Sequence, residues 1–542
     1  MYFRKKLLAG LVVAGCAAMA GCALDGQQNT ETVAESGKVK NVIMMIGDGM
    51  GPQQVGLLRT YAHRAPNSIY EGRPTGIDRL IEAGVLGVSS TGPHDKIVVD
   101  SACSATQLAT GEPALSEVIG VGTEGEYLET ILERAQKMGK ATGLVSDTRL
   151  THATPAAFAA HQPHRNLENE IAVDMIRIGP DVMFSGGLRH FVPKSVNDKG
   201  ATYEAIRELN DGAFTFSSKR KDEVNLLTEA QTAGYQLAFT REQMDKVQDG
   251  KVLGLFANSG MMDGIDYAAT KDAGDRSEPT LKEMTMKALD ILSQDEDGFF
   301  LMVEGGQIDW AGHENDVGAM LHDMVKFDEA IEAVYEWVAQ RNDTLMIVTA
   351  DHETGSFGFS YSMKDVPEPQ KLPAPGFGDE HDYQPMFNFA DLSLLDRIYA
   401  QTRSNKNIWG DFESLPADQQ TAKKLAELMS KHHAFEVTEA MAATVLKTSP
   451  NRFQKAGHSY LASKTWPAVD TPFESFYVYG EETRWNLMGH ALAEDQYVVW
   501  GTGTHTDTPV LVMTFGPEAA TAPFSKFLTH PEVGQLAKDA LK

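Results

Sequence analysis

Four continuous apolar runs, each with an acidic residue at its end, constrain the fold of this chain more than any other feature of the sequence. They occupy residues 39–46 (VKNVIMMI), 139–148, 297–306 and 342–353. Unbroken hydrophobic runs of this length are typical of strands that are buried on both faces of a parallel sheet. Helical patterns over 126–138, 280–293 and 317–340 lie between them. The alternation predicts βαβ units, and therefore an α/β fold with a large, mostly parallel central sheet and helices on both faces.

The acids at the ends of these runs predict a cation site. Asp48, Glu304, Asp351 and Asp147 each stand at or just after the end of one run. Any one of them alone is adequately explained as a turn residue or a helix cap. As a set, they meet at the carboxyl edge of a parallel sheet, which is where open α/β sheets bind ligands. Carboxylates on apolar strands are costly unless a positive partner is present, so we expect metal ions at this edge.

Size and charge limit the class of protein. The chain has 542 residues, is 42% hydrophobic and carries a formal net charge of -27. It is long enough for one large α/β domain or for two to three ordinary ones. Because the chain is this acidic, we expect it to have no surface that binds nucleic acid.

The N-terminus predicts export. Residues 1–22 combine a basic start with an apolar stretch too short to span a bilayer comfortably, which is typical of a signal peptide. Cleavage could follow Ala18-Met19-Ala20, or a lipobox could end at Cys22, with an earlier candidate at Cys16; we favour lipidation of Cys22. Residues 23–38 then form a polar tether, and 39–542 the catalytic domain. We expect a periplasmic, lipid-anchored protein. Only Cys103 remains in the body, so no internal disulfide is available.

A long segment interrupts the strand–helix alternation. Residues 354–440 are rich in Pro, Asp, Asn and Gly with scattered aromatic residues, and the pattern resumes at YVVWGTGTHTDTPVLVMTFG, residues 497–516. We therefore predict a large insertion over roughly 360–495, followed by another strand after His505.

Several Asp and His residues have the spacing of metal ligands. Asp309 and His313 are four residues apart and share one face of a helical turn, while Asp351 and His352 are adjacent at a strand end. His505 stands in a polar turn. Each could instead be a cap, a turn residue or a satisfied buried His. Mixed Asp and His ligands favour zinc, whereas the oxygens of Asp48, Glu304 and Thr154 would suit magnesium.

Ser101, in VVDSACSAT, raises a choice between a helix cap and a nucleophile. A nucleophilic Ser needs an activator, either a His base with its acid partner or a metal ion. Asp100 precedes it directly. The segment after Ser101 predicts a helix, whose N-terminus would favour an anion.

These residues lie in motifs that resemble the alkaline phosphatase family. The motifs are NVIMMIGDGMG, VVDSACSATQLATG, THATPAAFAAH, PHR, LMVEGGQIDWAGHE and VTADHETGSFGF, and the match runs from about residue 40 to 356 and again over 497–516. QIDWAGH, THATPAAFAAHQPHR and the insertion resemble most closely the Vibrio-type enzymes of marine bacteria. The resemblance implies a homodimer in which a long loop embraces the second subunit.

The resemblance also implies a role for each site residue. Asp309, His313 and His505 would hold one zinc ion, Asp48, Asp351 and His352 a second, and Asp48, Thr154 and Glu304 a magnesium ion. Ser101 would be the nucleophile, activated by metal, and Arg165 the phosphate clamp, oriented by a bidentate pair with Asp100. His152 stands where the enteric form has an acid beside magnesium, and Trp310 where it has a Lys. We expect His152 beside the magnesium site and Trp310 in the wall of the phosphate pocket.

The predicted function is hydrolysis of small-molecule phosphate monoesters through a phosphoserine intermediate. Two alternatives stay open. One is another phosphoesterase of the superfamily, such as a phosphodiesterase or a cofactor-independent mutase. The other is a non-catalytic periplasmic metal-binding lipoprotein, which would need neither Ser101 nor Arg165. The sequence shows no pocket for a particular alcohol.

Overall fold

The computed structural model describes residues 39–371 and 382–541. The predicted signal peptide, the tether and Cys22 lie outside the described residues, as does the part of the predicted insertion over 372–381. In the described part of the chain, no helix combines the length and the apolarity needed to cross a membrane.

The described residues form eighteen strands and twenty α-helices. The strands are β1 Asn41–Gly47, β2 Val85–Ser90, β3 Ala141–Arg149, β4 Val182–Gly186, β5 Gln236–Ala238, β6 Val252–Leu255, β7 Phe299–Gly305, β8 Thr344–Ala350, β9 Glu353–Thr354, β10 Phe357–Phe359, β11 Gln370–Lys371, β12 Asp382–Tyr383, β13 Thr448–Pro450, β14 Thr465–Pro467, β15 Val498–Trp500, β16 His505–Thr506, β17 Val510–Phe515 and β18 Phe527–Thr529. The helices are α1 Pro52–Arg64, α2 Gly76–Ala83, α3 Ser101–Thr110, α4 Ile131–Lys137, α5 Ala153–Ala159, α6 Glu168–Ile178, α7 Ala201–Leu209, α8 Leu226–Thr232, α9 Arg241–Lys246, α10 Gly264–Thr270, α11 Leu281–Leu292, α12 Gln307–His313, α13 Val317–Val338, α14 Ser393–Tyr399, α15 Asn405–Glu413, α16 Ala422–His432, α17 Glu439–Leu446, α18 Thr483–Ala493, α19 Glu518–Thr521 and α20 His530–Ala540.

Ten strands form the central sheet, in the order β18-β2-β17-β8-β1-β7-β3-β4-β6-β5. All of its neighbouring pairs are parallel except those made by β17, which is antiparallel to both β2 and β8. The predicted mostly parallel sheet is therefore confirmed. The four apolar runs form β1, β3, β7 and β8, which lie side by side in the middle of the sheet.

The sheet is covered by helices on both faces, as predicted. Side chains alternate along each strand, so Ile43 and Met45 of β1 pack with α13 on one face, whereas Met44 and Ile46 pack with α3, α5 and α20 on the other. These strand residues are fully buried. A sheet buried on both faces explains why its strands appear in the sequence as unbroken apolar runs.

The two ends of the segment between β10 and β15 lie next to each other, because these strands pair antiparallel, with Phe359 opposite Val498. This segment covers the predicted insertion and carries the five helices α14–α18. Asp316, the N-cap of α13, binds it to the core: its carboxylate accepts hydrogen bonds from the Gln401 side chain at 2.9 and 3.0 Å and from the Asn405 backbone N–H at 2.7 Å.

Candidate metal centre and active site

The register of the central strands brings the predicted acids together. Gly47 at the end of β1 pairs with Gly305 of β7 and with Ala350 of β8. Asp48, Glu304 and Asp351 therefore reach the same edge of the sheet, and all three are fully buried. Gly49 follows in a left-handed conformation with φ +71°, and a Cβ there would lie 2.7 Å from the Cα of Asp309, so only Gly allows this close approach.

Asp309, His313 and His505 form the first cluster. The Nε2 atoms of His313 and His505 lie 3.3 and 3.5 Å from Asp309 Oδ1 and 3.0 Å from each other. Each ring donates its Nδ1–H to a backbone carbonyl, His313 to Gly503 at 2.7 Å and His505 to Val99 at 2.8 Å. In the neutral rings both Nε2 atoms then carry lone pairs and point into the cluster, as metal-binding His residues do.

Asp48, Asp351 and His352 form the second cluster. His352 Nε2 lies 3.1 Å from Asp351 Oδ2 and 3.6 Å from Asp48 Oδ1. Its Nδ1 lies 3.3 Å from the Thr354 hydroxyl, which donates its own proton to Asp309 Oδ1 at 2.5 Å. Thr354 therefore accepts from Nδ1, so the lone pair of His352 is on Nε2. Burial and the neighbouring His505 lower the pKa of His352, which keeps the ring neutral.

Asp48, Glu304 and His152 form the third cluster, and Thr154 stands two residues after His152. Ligand atoms of Asp48, His152 and Glu304 all lie within 4.8 Å of one another. The Thr154 hydroxyl is buried and has no hydrogen-bond partner among the described residues. Ser146 and Thr148 of β3 both donate to Glu304 Oε2, at 2.5 and 3.0 Å, which leaves Oε1 free. His152, predicted to lie beside this site, is thus itself one of the residues of the cluster.

The unsatisfied polar atoms of these clusters fit bound cations. Both oxygens of Asp48, one oxygen each of Asp351 and Glu304, and the Thr154 hydroxyl are buried without hydrogen bonds among the described residues. Burial and the carboxylates of Asp351, Asp309 and Glu304 raise the pKa of Asp48 well above its usual range. Buried groups of this kind cost free energy unless something positive pairs with them. Two clusters have the Asp and His ligands of transition metals, and the third is richer in oxygen.

Ser101 is the first residue of α3 and is almost completely buried. Asp100 caps this helix by accepting from the Ala102 N–H at 3.0 Å. The Ser101 hydroxyl lies 3.2 Å from His352 Nε2, and because that nitrogen carries the lone pair, the hydroxyl donates. Ser101 is therefore both at a helix N-terminus and next to the second cluster.

Arg165 contacts Asp100, the residue before Ser101, but this contact differs from the predicted bidentate pair. Its Nη1 donates to Asp100 Oδ2 at 3.1 Å, while the other Asp100 oxygen accepts from the Glu117 N–H at 2.7 Å. Because one carboxylate serves the helix cap, Glu117 and Arg165, only a single contact is left for the guanidinium. Arg165 Nη2 also lies 3.4 Å from His152 Nε2.

Trp310 forms part of the wall of a cavity of about 950 Å³ that opens over these clusters. Its ring contacts the edge of the His152 ring at 5.9 Å between centroids. A Cβ on Gly260 would lie 2.5 Å from the indole, so the backbone packs directly on it. Lys406 of α15 places its Nζ 5.0 Å from the centre of the same ring.

The structure adds residues that sequence reasoning missed. Lys406, Tyr460, Tyr479 and Trp485 line the cavity, and all come from the segment between β10 and β15. Thr354 follows two residues after His352, and its side chain contacts ligands of two clusters; that adjacency was the only signal in the sequence. Asp147 was predicted with the site acids, but its carboxylate pairs with the buried Lys326 Nζ at 2.9 Å and is therefore already neutralised.

Comparison with known proteins decides the family. A family model described as alkaline phosphatase matches residues 39–482. The chain belongs to the alkaline phosphatase family. It is 36% identical over 360 residues to alkaline phosphatase 3 of Bacillus subtilis, which covers 66% of this chain and 70% of that protein. It is 34% identical over 344 residues to the alkaline phosphatase of Escherichia coli, covering 58% and 70% of the two chains.

Solved structures agree with this alkaline phosphatase fold. A cold-active alkaline phosphatase from a psychrophilic Shewanella species matches with 28% identity and a TM-score of 0.64, over 93% of this chain and all of that one. The Thermus thermophilus alkaline phosphatase matches in fold with a TM-score of 0.72 at 24% identity, over 96% of both chains. The predicted family is confirmed, and with it a metal-dependent enzyme that hydrolyses phosphoric monoesters.

Proposed function

We propose that this alkaline phosphatase acts through a phosphoserine intermediate on Ser101. The observation that carries the proposal is the position of its hydroxyl, buried at the N-terminus of α3 and 3.2 Å from His352 Nε2, at the edge of the sheet where the unpaired carboxylates meet. A Ser used only as a helix cap would point at its own helix. Here Asp100 already caps α3, which leaves the Ser101 hydroxyl free to react.

Three cations would complete the site. Asp309, His313 and His505 would hold one zinc ion, Asp48, Asp351 and His352 a second, and Asp48, Thr154 and Glu304 a magnesium ion. The donor sets fit this division, because nitrogen-containing sets suit zinc and oxygen sets suit magnesium. When bound, such cations supply Lewis-acid stabilisation of the negative charge on the attacking, leaving and phosphoryl oxygens.

The residues of the chain would act in two displacements. Ser101 Oγ, whose proton goes to solvent, forms a bond to phosphorus while the ester P–O bond breaks on the side of His313 and His505, and the alcohol leaves with a proton from solvent. Water then attacks the phosphoserine from that vacated side and releases phosphate and free Ser101. Arg165 binds phosphoryl oxygens throughout, and the N-terminus of α3 favours their charge. Two inversions give net retention at phosphorus.

The test compares Ser101→Ala with wild type and with Cys103→Ala, a matched control two residues further along α3. All are loaded with zinc and magnesium and assayed on a phosphate monoester and a diester at alkaline pH. We expect Ser101→Ala to lose activity by about 10⁴-fold or more and Cys103→Ala to keep it. Acid quenching during turnover of phosphate-labelled substrate should leave label on Ser101. Substantial activity in Ser101→Ala, or faster diester than monoester hydrolysis, would overturn the proposal.

We further propose that the protein is exported to the periplasm and anchored by a lipid on Cys22. The basic and apolar N-terminal pattern supports this. Cell fractionation of wild type and Cys22→Ala tests it, since the variant should leave the membrane fraction. A wild-type protein found free of membranes would contradict the anchor.

We also propose a homodimer. The resemblance to Vibrio-type enzymes supports it, as does a group of exposed apolar side chains in the insertion, among them Tyr361, Met363 and Phe389, which are 59%, 88% and 63% exposed. Such patches are uncommon on monomers. Light scattering coupled to gel filtration should give twice the chain mass, and a monomer mass at micromolar concentration would contradict the proposal.

A further inference from the structure

The cavity is much larger than a phosphoryl group requires, and two tyrosines from the insertion line it. Tyr479 lies edge-on to His313 with ring centroids 4.9 Å apart, and Tyr460 lies edge-on to Tyr479 at 5.1 Å. Both residues line the cavity. His313 belongs to the cluster on the side from which the alcohol leaves in the proposed mechanism. The two rings therefore extend from the leaving-group side of the site toward solvent.

Packing within the protein does not account for these two side chains. Neither phenol oxygen makes a hydrogen bond anywhere in residues 39–371 or 382–541, although both rings lie next to polar groups. Buried or half-buried Tyr hydroxyls usually find a partner. Tyr460 is 45% exposed and lines the cavity, so its side chain is accessible to a ligand there. By contrast, neighbouring Tyr477 is buried and pairs its hydroxyl with His490 Nε2 at 2.9 Å, as a structural Tyr does.

The segment that carries Tyr479 is fixed to the metal centre. The Phe476 carbonyl accepts from the Thr502 hydroxyl at 3.1 Å and from the Gly503 N–H at 3.3 Å. Gly503 is also the residue whose carbonyl fixes the ring of His313. The Asn486 side chain in α18 donates to the His313 carbonyl. The ring of Tyr479 is thus held at a set position relative to the first cluster, as a substrate-binding surface requires.

We infer that Tyr479 and Tyr460 bind the alcohol part of the substrate, and that they favour phosphate monoesters whose alcohol carries an aromatic ring. The inference rests on the proposed function for the side on which the alcohol leaves. An aromatic ring in the cavity can stack on Tyr460 and meet the edge of Tyr479, and aromatic pairs are favoured over aliphatic contacts of the same area. The free phenol groups can also donate to polar atoms of the alcohol.

The test uses two substrates that differ only in aromaticity, 2-phenylethyl phosphate and 2-cyclohexylethyl phosphate. Their leaving alcohols have nearly the same acidity, so the ratio of their kcat/KM values reports recognition of the ring. We expect wild type to prefer the phenyl substrate by about fivefold. Tyr479→Leu and Tyr460→Leu, which keep apolar volume, should bring the ratio close to one. Tyr479→Phe should keep most of this preference, and Tyr203→Ala, at a residue that does not line the cavity, should keep all of it.

A binding measurement keeps this inference separate from the phosphoserine proposal. The matching non-hydrolysable phosphonates, 2-phenylethylphosphonate and 2-cyclohexylethylphosphonate, are titrated into the metal-loaded enzyme by calorimetry. Tighter binding of the phenyl compound in wild type but not in Tyr479→Leu supports the inference even if Ser101→Ala stays active, an outcome that would overturn the phosphoserine proposal alone. Equal Kd values in wild type, or a preference unchanged in both Leu variants, would overturn the inference while leaving the phosphoserine proposal intact.

Discussion

The floor and the wall of the active-site cavity are built in opposite ways. The floor, formed by Asp48, Ser101, Glu304, Asp309 and Asp351, stands on the ends of central strands and on helix starts, and every side chain in it is buried. The wall includes Trp310 of α12, but its other residues come from the segment between β10 and β15 and are partly open to solvent, namely Lys406, Tyr460, Tyr479 and Trp485. The floor holds unpaired polar atoms in fixed positions, whereas the wall offers rings and one ammonium group.

This difference corresponds to two roles: the floor holds the groups for the reaction, and the wall holds the groups that select the substrate. Groups that must bind cations and phosphorus have their positions set by the register of the sheet, which cannot shift without disrupting the core. Groups that meet the variable part of a substrate lie on a separate segment, which packs on the core through its own helices and through contacts such as those of Asp316. Changes in the wall can therefore alter which ester is preferred without altering the reaction.

The largest expected effect comes from removing a floor carboxylate. Asp48→Asn should lose bound cations from two clusters, because Asp48 borders both, and activity should fall by about 10³-fold or more. Metal content after dialysis is measured by mass spectrometry. When a chelator has removed the cations, the free energy of unfolding of Asp48→Asn should be about 1–3 kcal/mol higher than that of metal-free wild type. The reason is that the variant no longer contains an unpaired buried carboxylate.

Asp181→Asn is the matched control for this change, since Asp181 accepts from Thr142 at the opposite end of the sheet. It should keep its cations and its activity. If Asp48→Asn kept its full metal content and more than a tenth of wild-type activity, cation binding in the floor would not depend on this carboxylate. The floor would then tolerate substitution as the wall does.

A smaller effect is expected where the wall is attached. Asp316→Asn keeps the shape of the side chain but replaces one of its two acceptor oxygens with an NH2 group, so either the Asn405 N–H or the Ala319 N–H of α13 loses its acceptor. The free energy of unfolding in urea should therefore fall by about 1–3 kcal/mol. The KM for an aromatic monoester should rise, while kcat for a small one should change less than about threefold. Asp391→Asn, an exposed residue of the insertion, serves as control. An equal loss of kcat on both substrates would mean that the floor also depends on how this segment is attached.

The smallest effect concerns the pH dependence of stability in the segment between β10 and β15, which carries most of the wall. His433 is buried in the insertion, where its Nε2 donates to Asn405 at 3.1 Å, and burial lowers its pKa to about 3. In the unfolded chain this His takes up a proton near pH 6.5, whereas in the folded protein it does so only near pH 3. Its contribution to stability is therefore complete above pH 6.5 and is lost progressively as the pH falls toward 3.

His433→Gln keeps a donor for Asn405 but cannot take up the proton. Between pH 7.5 and 5.5 the free energy of unfolding of wild type should fall by about 1 kcal/mol more than that of the variant. His432→Gln, at the adjacent and more exposed position, is the control. If the free energy of unfolding of wild type and of His433→Gln fell equally over this pH range, burial would not be keeping His433 neutral in the folded protein.

The floor of the active-site cavity could be predicted from the sequence more completely than its wall. Asp48, Glu304 and Asp351 were predictable because a buried parallel strand leaves an unbroken apolar run, and residues after such runs meet at one edge. Asp309 and His313 followed from helical spacing. Assigning roles to Ser101, Arg165 and His505 needed the family resemblance, since nothing local relates them to the others.

The wall could not be predicted in this way. Tyr460 and Tyr479 lie in irregular segments, so no periodicity indicates which way their rings point, and Lys406 is placed by the docking of α15 through Asn405. The single contact between Asp100 and Arg165 was also out of reach, because it depends on the Glu117 N–H taking the second oxygen. The antiparallel direction of β17 likewise depends on contacts across the sheet rather than on its own residues.

The ligand clusters draw on both ends of the sequence, and this has a consequence for how the protein is made. Two clusters need Asp48, just after the first strand, together with Glu304 of β7 or with Asp351 and His352 after β8, and the remaining cluster joins α12 to His505 of β16. A growing chain therefore cannot close the His505 cluster until nearly all of it has been synthesised. Contacts between such distant segments form slowly because a long loop must close first. Closure of the His505 cluster is thus a late event of folding, and we expect chains truncated before His505 to lack activity.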